Sequence, residues 1–296
     1  MDNLSSSTST PRTHRARKRF GQNFLVDAGA LSEIADLAGT AAEGDLVLEV
    51  GPGRGALTAE LLARLSHLVA IEIDRDLVRL LKGRFEKSPL RIIEGDVLDL
   101  DLVALLEEER KKRLVVVGNL PFNISTPVLF RLLDHASRID RAILTLQKEV
   151  AERVVASPGS KSYGLISVLL RTRARGRICL DIPSKAFRPR PEVDAAVVEL
   201  SFSGEWRFPV LNEAVFDSVA RAAFGQRRKM LRNALRSLPP LLTANSGDGR
   251  YLTDAELEAA AMTAGIDLTR RGETLEPEEF AILSDALVRA AEADAR

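Results

Sequence analysis

The stretch DLVLEVGPGRGA, residues 45–56, decides the fold class. Its first six residues are rich in aliphatic side chains and predict a strand, and three glycines follow before a helix that we expect to begin near Ala56. Glycines let the backbone turn sharply and let a ligand approach main-chain atoms closely. The stretch therefore predicts a strand, a ligand-binding turn and a helix. Read as GxGxxA, it also satisfies the dinucleotide fingerprint, so a nicotinamide or flavin enzyme stays open at this point.

Further short apolar runs predict the rest of the sheet. They are LVAIEI (68–73), RIIEGD (91–96), LVVVGN (114–119), AILTLQ (142–147), RICLDI (177–182) and AAVVEL (195–200). Strands that alternate with helical stretches indicate parallel strands joined by crossover helices. The runs are too apolar for a half-exposed sheet and suit strands covered on both faces. We expect an α/β fold, Rossmann-like, with a seven-stranded mostly parallel sheet.

The character of the chain changes at both ends. Residues 1–14 begin with a Ser/Thr-rich stretch and predict a disordered tail. After Pro209 the pattern is helical, with a capping box from Thr253 to Glu256 and a last helix opened by Glu276 and Pro277. We therefore expect a Rossmann-like domain over residues 15–204 and a small all-helical domain over residues 205–296.

Composition excludes several classes of protein. No apolar run approaches the roughly 20 residues that a membrane-spanning helix needs, and one cysteine with three scattered histidines does not indicate a metal site. We expect a cytoplasmic protein without a metal. The 42 basic and 42 acidic residues balance, but basic residues gather in 12–19, 171–177 and 221–236. Each run alone is compatible with a solvated face; the three together favour an anionic partner.

An acidic residue stands near the end of each of the first three predicted strands. These residues are Glu49, Glu72 and Asp96. Glu72 follows the glycines by about twenty residues, where a carboxylate can accept both ribose hydroxyls, and Asp96 is placed to accept a hydrogen bond from an adenine amino group. Three acids suit an adenosine that carries a cationic sulfonium better than one that carries a pyrophosphate. The alternative for any single acid is a cap or turn residue.

The fourth strand is followed by a distinctive turn, Asn119-Leu120-Pro121-Phe122. The Asn119 side-chain oxygen and a carbonyl of Leu120 or Pro121 form an acceptor pair for an exocyclic amino group. Pro121 fixes the turn, and Phe122 offers a flat face on which an extruded base can stack. The alternative is a strand end followed by a proline turn with a core phenylalanine.

Taken together, these motifs resemble the ribosomal RNA adenine dimethylases. The resemblance covers most of the chain and rests on the segments RKRFGQNFL (17–25), EVGPGRGALT (49–58), IEIDRDL (71–77), GNLPFNISTPVLF (118–130), LQKEV (146–150), KSYGLISVL (161–169), VDAAVVEL (193–200) and FGQRRKMLRNAL (224–235). It implies S-adenosyl-L-methionine as cofactor and dimethylation of N6 in two adjacent adenosines near the 3′ end of 16S rRNA. It also implies binding to the immature small ribosomal subunit and a role in its biogenesis; we expect a monomer.

The resemblance also implies roles for individual residues. The cofactor-binding residues implied are Asn23, Leu25, Gly51, Gly53, Glu72, Asp96 and Asn119. The catalytic residues implied are Asn119, Leu120, Pro121 and Phe122. Contacts to RNA phosphates are expected from Arg17, Lys18, Arg19, Arg227, Arg228, Lys229 and Arg232.

Two departures and two related alternatives remain. Phe122 stands where many family members have tyrosine, and Arg190 interrupts a proline run that follows Phe187. A neighbouring subfamily methylates a large-subunit adenine, but VDAAVVEL and FGQRRK favour the small-subunit enzymes. A non-catalytic RNA-binding relative would keep the fold without the chemistry; it is disfavoured by the intact Gly51, Glu72, Asp96 and Asn119.

Overall fold

The computed structural model describes residues 22–42, 44–238 and 251–293. The predicted tail (1–14) and the basic residues Arg17, Lys18 and Arg19 lie outside the described residues. Within the described part, no helix is long and apolar enough to cross a membrane.

A seven-stranded sheet forms the centre of the protein. The described residues form nine strands, seven of which belong to this sheet: β1 (Phe24–Leu25), β2 (Asp45–Val50), β3 (Leu68–Glu72), β4 (Leu90–Glu94), β5 (Arg113–Asn119), β6 (Ile139–Gln147), β7 (Ala174–Ile182), β8 (Phe187–Arg188) and β9 (Ala195–Phe202). The large sheet has the order β4-β3-β2-β5-β6-β9-β7. Only β9 runs antiparallel to its neighbours, β6 and β7. The predicted seven-stranded, mostly parallel sheet is confirmed.

The strand order places a ligand crevice at one edge of the sheet. The order reverses between β2 and β5, because β2 is followed on one side by β3 and β4 and on the other by β5 and β6. In open α/β sheets, ligands bind outside the carboxyl ends of the strands at such a switch point. The GPGRG turn after β2 and the NLPF turn after β5 therefore meet at this edge.

Helices cover both faces of the sheet and complete the C-terminal region. They are α1 (Ala28–Gly39), α2 (Ala56–Leu62), α3 (Arg75–Arg84), α4 (Leu102–Glu108), α5 (Ser125–Asp134), α6 (Lys148–Val155), α7 (Leu165–Arg173), α8 (Glu213–Gly225), α9 (Leu231–Leu235), α10 (Asp254–Ala264) and α11 (Pro277–Ala293). The capping box of Thr253 and Glu256 forms at the start of α10, and Pro277 is the first residue of α11, as expected from the sequence.

The C-terminal helices pack on the same hydrophobic core as the sheet. Phe216 on α8 and Phe280 on α11 are fully buried in a cluster that also contains Leu144 of β6 and Val198 of β9. The Tyr163 hydroxyl donates a hydrogen bond to the Leu275 carbonyl at 2.9 Å and joins the segment before α7 to the segment before α11. The domain boundary at residues 204/205 remains a prediction.

A second, two-stranded sheet was not expected from the sequence. β1 pairs antiparallel with β8, so that Phe24 faces Arg188 and Leu25 faces Phe187. Strands of two residues carry no periodic pattern, so hydrophobic periodicity does not predict them. The pairing fastens the segment that contains Asn23 and Leu25 to the loop that carries Arg190, whose Nε donates to the Ser184 hydroxyl at 3.1 Å.

The Thr145→Val variant is expected to be more stable than the wild type by about 1 kcal/mol, because an unsatisfied buried hydroxyl costs free energy that a methyl group of similar shape does not. Thr145 lies on β6 with 1% of its surface exposed, and its hydroxyl has no hydrogen-bond partner in the described structure. Urea unfolding measures the difference. Thr58→Val is the matched control, since the buried Thr58 hydroxyl donates to Glu49 at 2.7 Å and its loss is destabilising. Equal losses of stability in Thr145→Val and Thr58→Val would contradict this prediction.

Candidate active site

A cavity of about 240 Å³ lies at the carboxyl ends of β2, β3 and β5. The structure brings every predicted cofactor-binding and catalytic residue to its wall, namely Asn23, Leu25, Gly51, Gly53, Glu72, Asp96, Asn119, Leu120, Pro121 and Phe122. These residues come from five separate parts of the sequence. They meet because the carboxyl ends of parallel strands share one edge of the sheet.

The glycine turn packs directly against the N-terminal segment. Gly53 has φ +58°, and a Cβ there would lie 2.9 Å from Cε1 of Phe24. The Arg54 guanidinium lies over the Phe24 ring, 4.7 Å from its centroid. Position 53 therefore requires glycine for both its backbone conformation and its contact with Phe24.

Glu72 is anchored at the end of β3 by backbone donors. Its Oε2 accepts a hydrogen bond from the Gly53 N–H at 3.1 Å, and its Oε1 accepts one from the Asp74 N–H at 2.9 Å. Burial raises the pKa of Glu72, and the two backbone hydrogen bonds oppose that rise. The carboxylate thus fixes the glycine turn and lies at the cavity wall.

Asp96 forms a local turn and also borders the cavity. Its Oδ1 accepts a hydrogen bond from the Leu98 N–H at 2.9 Å, and the side chain is half-buried. The turn and the predicted ligand contact are compatible, because a carboxylate offers more than one acceptor site.

Asn119 is oriented by a contact to the N-terminal segment. Its Nδ2 donates a hydrogen bond to the Asn23 carbonyl at 2.8 Å. This contact fixes the orientation of the amide, whose single acceptor atom is Oδ1, so Oδ1 is the atom that would accept a hydrogen bond from a ligand. The predicted catalytic asparagine and the predicted cofactor segment are therefore directly connected.

The structure favours one of the two carbonyls that the sequence left open as the second acceptor of the NLPF turn. The Pro121 carbonyl already accepts hydrogen bonds from the Ile124 N–H at 3.0 Å and the Ser125 hydroxyl at 3.3 Å. The Leu120 carbonyl is therefore the better second acceptor, while the Leu120 side chain, 1% exposed, belongs to the core. Phe122 is half-buried at the cavity wall.

Glu49 is a site residue that the sequence did not distinguish from other strand-end acids. It lines the cavity, is 1% exposed and accepts the Thr58 hydrogen bond. The pKa of Glu49 is raised to about 8, mainly by burial and also by the nearby Glu72 carboxylate, while the Thr58 hydrogen bond opposes the rise. The only signal in the sequence was its position at the end of β2, which does not reveal that the side chain points into the protein.

The Glu49→Gln variant is expected to remove a pH-dependent loss of stability. Because the pKa is raised from 4.5 in the unfolded chain to about 8 in the folded one, unfolding releases a proton between these values, and the free energy of unfolding falls as the pH rises through this window. Glutamine resembles the protonated carboxyl and lacks this penalty. The variant should gain on the wild type from about pH 5 to pH 8, by up to about 4 kcal/mol at 1.36 kcal/mol per pKa unit.

Urea unfolding across this pH range measures the effect, with the exposed Glu86→Gln as control. A constant difference between Glu49→Gln and the wild type at every pH would show that Glu49 ionises normally.

The predicted RNA-binding residues of the C-terminal region differ in their surroundings. The Arg227 guanidinium donates to the carbonyls of Tyr163 (2.9 Å) and Lys161 (3.3 Å), and Arg232 pairs with Glu258 at 3.3 Å. Arg228 and Lys229 are exposed, and neither forms an ion pair with any residue that the structure describes. None of the four lines the cavity. Arg227 therefore has a structural role, and its contact with RNA stays a prediction.

Comparisons with known proteins point to one family. Residues 13–246 match the family model described as ribosomal RNA adenine dimethylase. The ribosomal RNA small subunit methyltransferase A of Geobacter metallireducens is 43% identical over 275 residues, which cover 93% of this chain and 96% of that protein.

Two solved structures are similar over most of the chain. A 23S rRNA methyltransferase shares 25% identity with a TM-score of 0.65, and covers 90% of this chain and 99% of its own. A dimethyladenosine transferase from Plasmodium falciparum shares 23% identity with a TM-score of 0.71, and covers 88% of this chain and 95% of its own. Because its identity is below 25%, the similarity to the Plasmodium falciparum structure shows the fold alone.

Proposed function

This chain belongs to the ribosomal RNA adenine dimethylase family, and from that premise we propose that it uses S-adenosylmethionine to dimethylate N6 of two adjacent adenosines near the 3′ end of 16S rRNA. The observation that carries the proposal is the acceptor pair at the carboxyl end of β5, formed by Oδ1 of Asn119 and the Leu120 carbonyl beside Phe122. The name of the relative from Geobacter metallireducens, which specifies the small subunit, supports that subunit over the large one.

The cavity suits a cationic adenosine derivative. The Glu49 and Glu72 carboxyl groups lie in its wall, and the raised pKa of Glu49 has the proximity of Glu72 among its causes. A positively charged ligand relieves that repulsion, whereas a pyrophosphate increases it. Glu72 would hold the ribose, Asp96 the adenine, and the glycine turn would accept close approach of the ligand. When bound, S-adenosylmethionine supplies an electrophilic methyl group.

The residues of the NLPF turn position the target amine. The N6 lone pair of adenine is delocalised into the ring and is a poor nucleophile. Hydrogen bonds from the amino group to Asn119 Oδ1 and to the Leu120 carbonyl favour a tetrahedral nitrogen with its lone pair directed at the methyl group. Phe122 stacks on the extruded base, since chemistry on a base requires it to leave its stack. Asn119 is not a strong base, so catalysis depends on positioning and the proton leaves to solvent.

The competing functions explain fewer of these contacts. A dinucleotide oxidoreductase leaves the NLPF turn without a role and places a pyrophosphate beside two acidic side chains, Glu49 and Glu72. A non-catalytic RNA-binding relative leaves the contact between Asn119 and Asn23 without a role. We further propose that the protein acts in the cytoplasm, as a monomer, on an immature small subunit whose biogenesis it assists.

Methyl transfer to ribosomal particles tests the proposal. Labelled methyl groups from S-adenosylmethionine are offered to small subunits from a strain that lacks this methylation, with large subunits as the control substrate. We expect N6,N6-dimethyladenosine to appear only in the small-subunit RNA. Label in the large subunit alone would support the neighbouring subfamily, and cofactor binding without label in either would support the non-catalytic relative.

A further inference from the structure

A second cavity lies near the amino-terminal end of β7, on the side of the sheet opposite the carboxyl strand ends that form the active site. It has a volume of about 210 Å³ and is bordered by α6, the end of α7 and the start of β7. β7 runs in the same direction as β6, because both are antiparallel to β9. The first residues of β7 therefore lie away from the carboxyl ends of the strands that form the active site. None of the active-site residues lines this second cavity.

Three arginines and no acidic residue line this cavity. The arginines are Arg171 at the end of α7, Arg175 on β7 and Arg207 in the segment that leads to α8. The pKa of Arg207 is lowered by partial burial and by the positive charges of Arg175 and Arg171. Three guanidinium groups at one concave surface repel one another, and an anion bound among them removes that repulsion.

The arginine frame is held in place by the fold. The Arg207 guanidinium donates through Nη1 to the Arg171 carbonyl at 2.9 Å, and the Arg207 backbone N–H donates to the Thr172 carbonyl at 2.8 Å. These bonds satisfy carbonyls at the C-terminal end of α7, which would otherwise lack partners. The Arg171 guanidinium donates to the Ala156 carbonyl. Both arginines are thus positioned by contacts that use only part of their five donors.

Arg175 differs from the neighbouring arginines of the same run. Arg173 pairs with Glu213 at 2.9 Å and lies over the Trp206 ring, and Arg177 pairs with Glu199 at 2.6 Å. Arg175 is exposed and forms no ion pair with any other described residue. The basic run 171–177 therefore contains two arginines neutralised by acids and two that face the second cavity.

We propose that the cavity lined by Arg171, Arg175 and Arg207 binds a phosphate group of the ribosomal RNA backbone. The proposal rests on the proposed function for its partner, because RNA is the polyanion on which the protein acts. The planar guanidinium fork matches phosphate oxygens, and Arg175 and Arg207 are both accessible from solvent, as a polymer phosphate requires. The contact fixes the orientation of the RNA at a site remote from the target base and reads no sequence.

The salt dependence of RNA binding tests this site. The logarithm of the RNA association constant falls linearly with the logarithm of the salt concentration. Each phosphate contact that is lost reduces the steepness of this line by about 0.9 for a duplex, if the value for B-form DNA applies to RNA, or by about 0.7 for a single strand. We expect Arg175→Gln to lower the slope by about one such step, and the ratio of wild-type to variant affinity to shrink by about threefold between roughly 50 mM and 200 mM salt. Arg175→Lys keeps the charge and should keep the slope.

Arg79→Gln is the matched control. Arg79 is an exposed arginine on α3, near the far end of the sheet from β7, and its surface ion pair with Asp76 contributes little to stability. Each variant is measured with small ribosomal subunits and with a duplex RNA of unrelated sequence, because phosphate contacts are independent of sequence. Cofactor affinity and melting temperature are expected to equal those of the wild type in all three variants.

The outcomes separate the site from the proposed function. An unchanged slope for Arg175→Gln on both RNAs would overturn the RNA-phosphate contact even if the wild type methylates small subunits. A lower slope without any methylation would support the phosphate site and overturn the proposed function. Inorganic phosphate that binds the wild type but not Arg175→Gln, with RNA slopes unchanged, would assign the cavity to a small phosphate ligand and overturn the RNA contact.

Discussion

Replacing Asn119 with alanine is expected to slow methyl transfer about a thousandfold or more, which corresponds to about 4 kcal/mol of lost transition-state stabilisation. The Oδ1 atom is one of the two acceptors that we assign to the target amine, since the Pro121 carbonyl is already engaged with Ile124 and Ser125. A preorganised polar group at the reacting centre is worth about this much in other enzymes. Single-turnover transfer to small ribosomal subunits measures the loss.

RNA binding by Asn119→Ala should be nearly unchanged, because the variant removes no positive charge. Cofactor affinity is measured in parallel, since the alanine also loses the hydrogen bond from Nδ2 to the Asn23 carbonyl. Asn119→Asp separates the acceptor role of Oδ1 from the donor role of Nδ2, because aspartate keeps an acceptor oxygen and loses the donor. It should weaken cofactor binding more than it slows methyl transfer once the cofactor is bound. Normal turnover by Asn119→Ala would refute the assigned role.

Gly118→Ala is expected to destabilise the protein by about 3 kcal/mol and to abolish activity, because overpacking of a rigid contact forces backbone shifts. A Cβ at this position of β5 would lie 2.5 Å from the Val50 carbonyl oxygen at the end of β2. Relief of that contact requires separation of the two strands that carry Gly51 and Asn119. Urea unfolding and cofactor titration measure the two effects.

Gly83→Ala is the control for that substitution. Gly83 lies in α3, and a Cβ there would meet no atom within 4 Å. Alanine favours helix over glycine by up to about 1 kcal/mol, so this variant should be slightly more stable than the wild type. If Gly118→Ala unfolds at the same urea concentration as the wild type, then β2 and β5 can separate without loss of stability, and the prediction is wrong.

The sheet and most of the active site were predictable from the chain because both depend on local patterns. Runs such as LVVVGN, which are short and rich in β-branched residues, are typical of strands covered on both faces, and all seven runs form strands of the large sheet. The glycine turn and the NLPF turn each follow a strand directly. Since parallel strands end at one edge, their carboxyl ends place Gly51, Glu72 and Asn119 around one cavity without further information.

Contacts between distant segments were decided by the tertiary structure. The pairing of β1 with β8, the raised pKa of Glu49 and the engagement of Arg227 with Tyr163 each depend on a partner far away in the sequence or on burial. The basic run 171–177 looked uniform, yet ion pairs neutralise Arg173 and Arg177 and leave Arg175 at a second cavity. The sequence by itself determined which segments become strands and turns, because hydrophobic periodicity and glycine are local properties; only the folded chain decided which charges are paired, buried or available to a ligand, because electrostatic environment depends on neighbours in space.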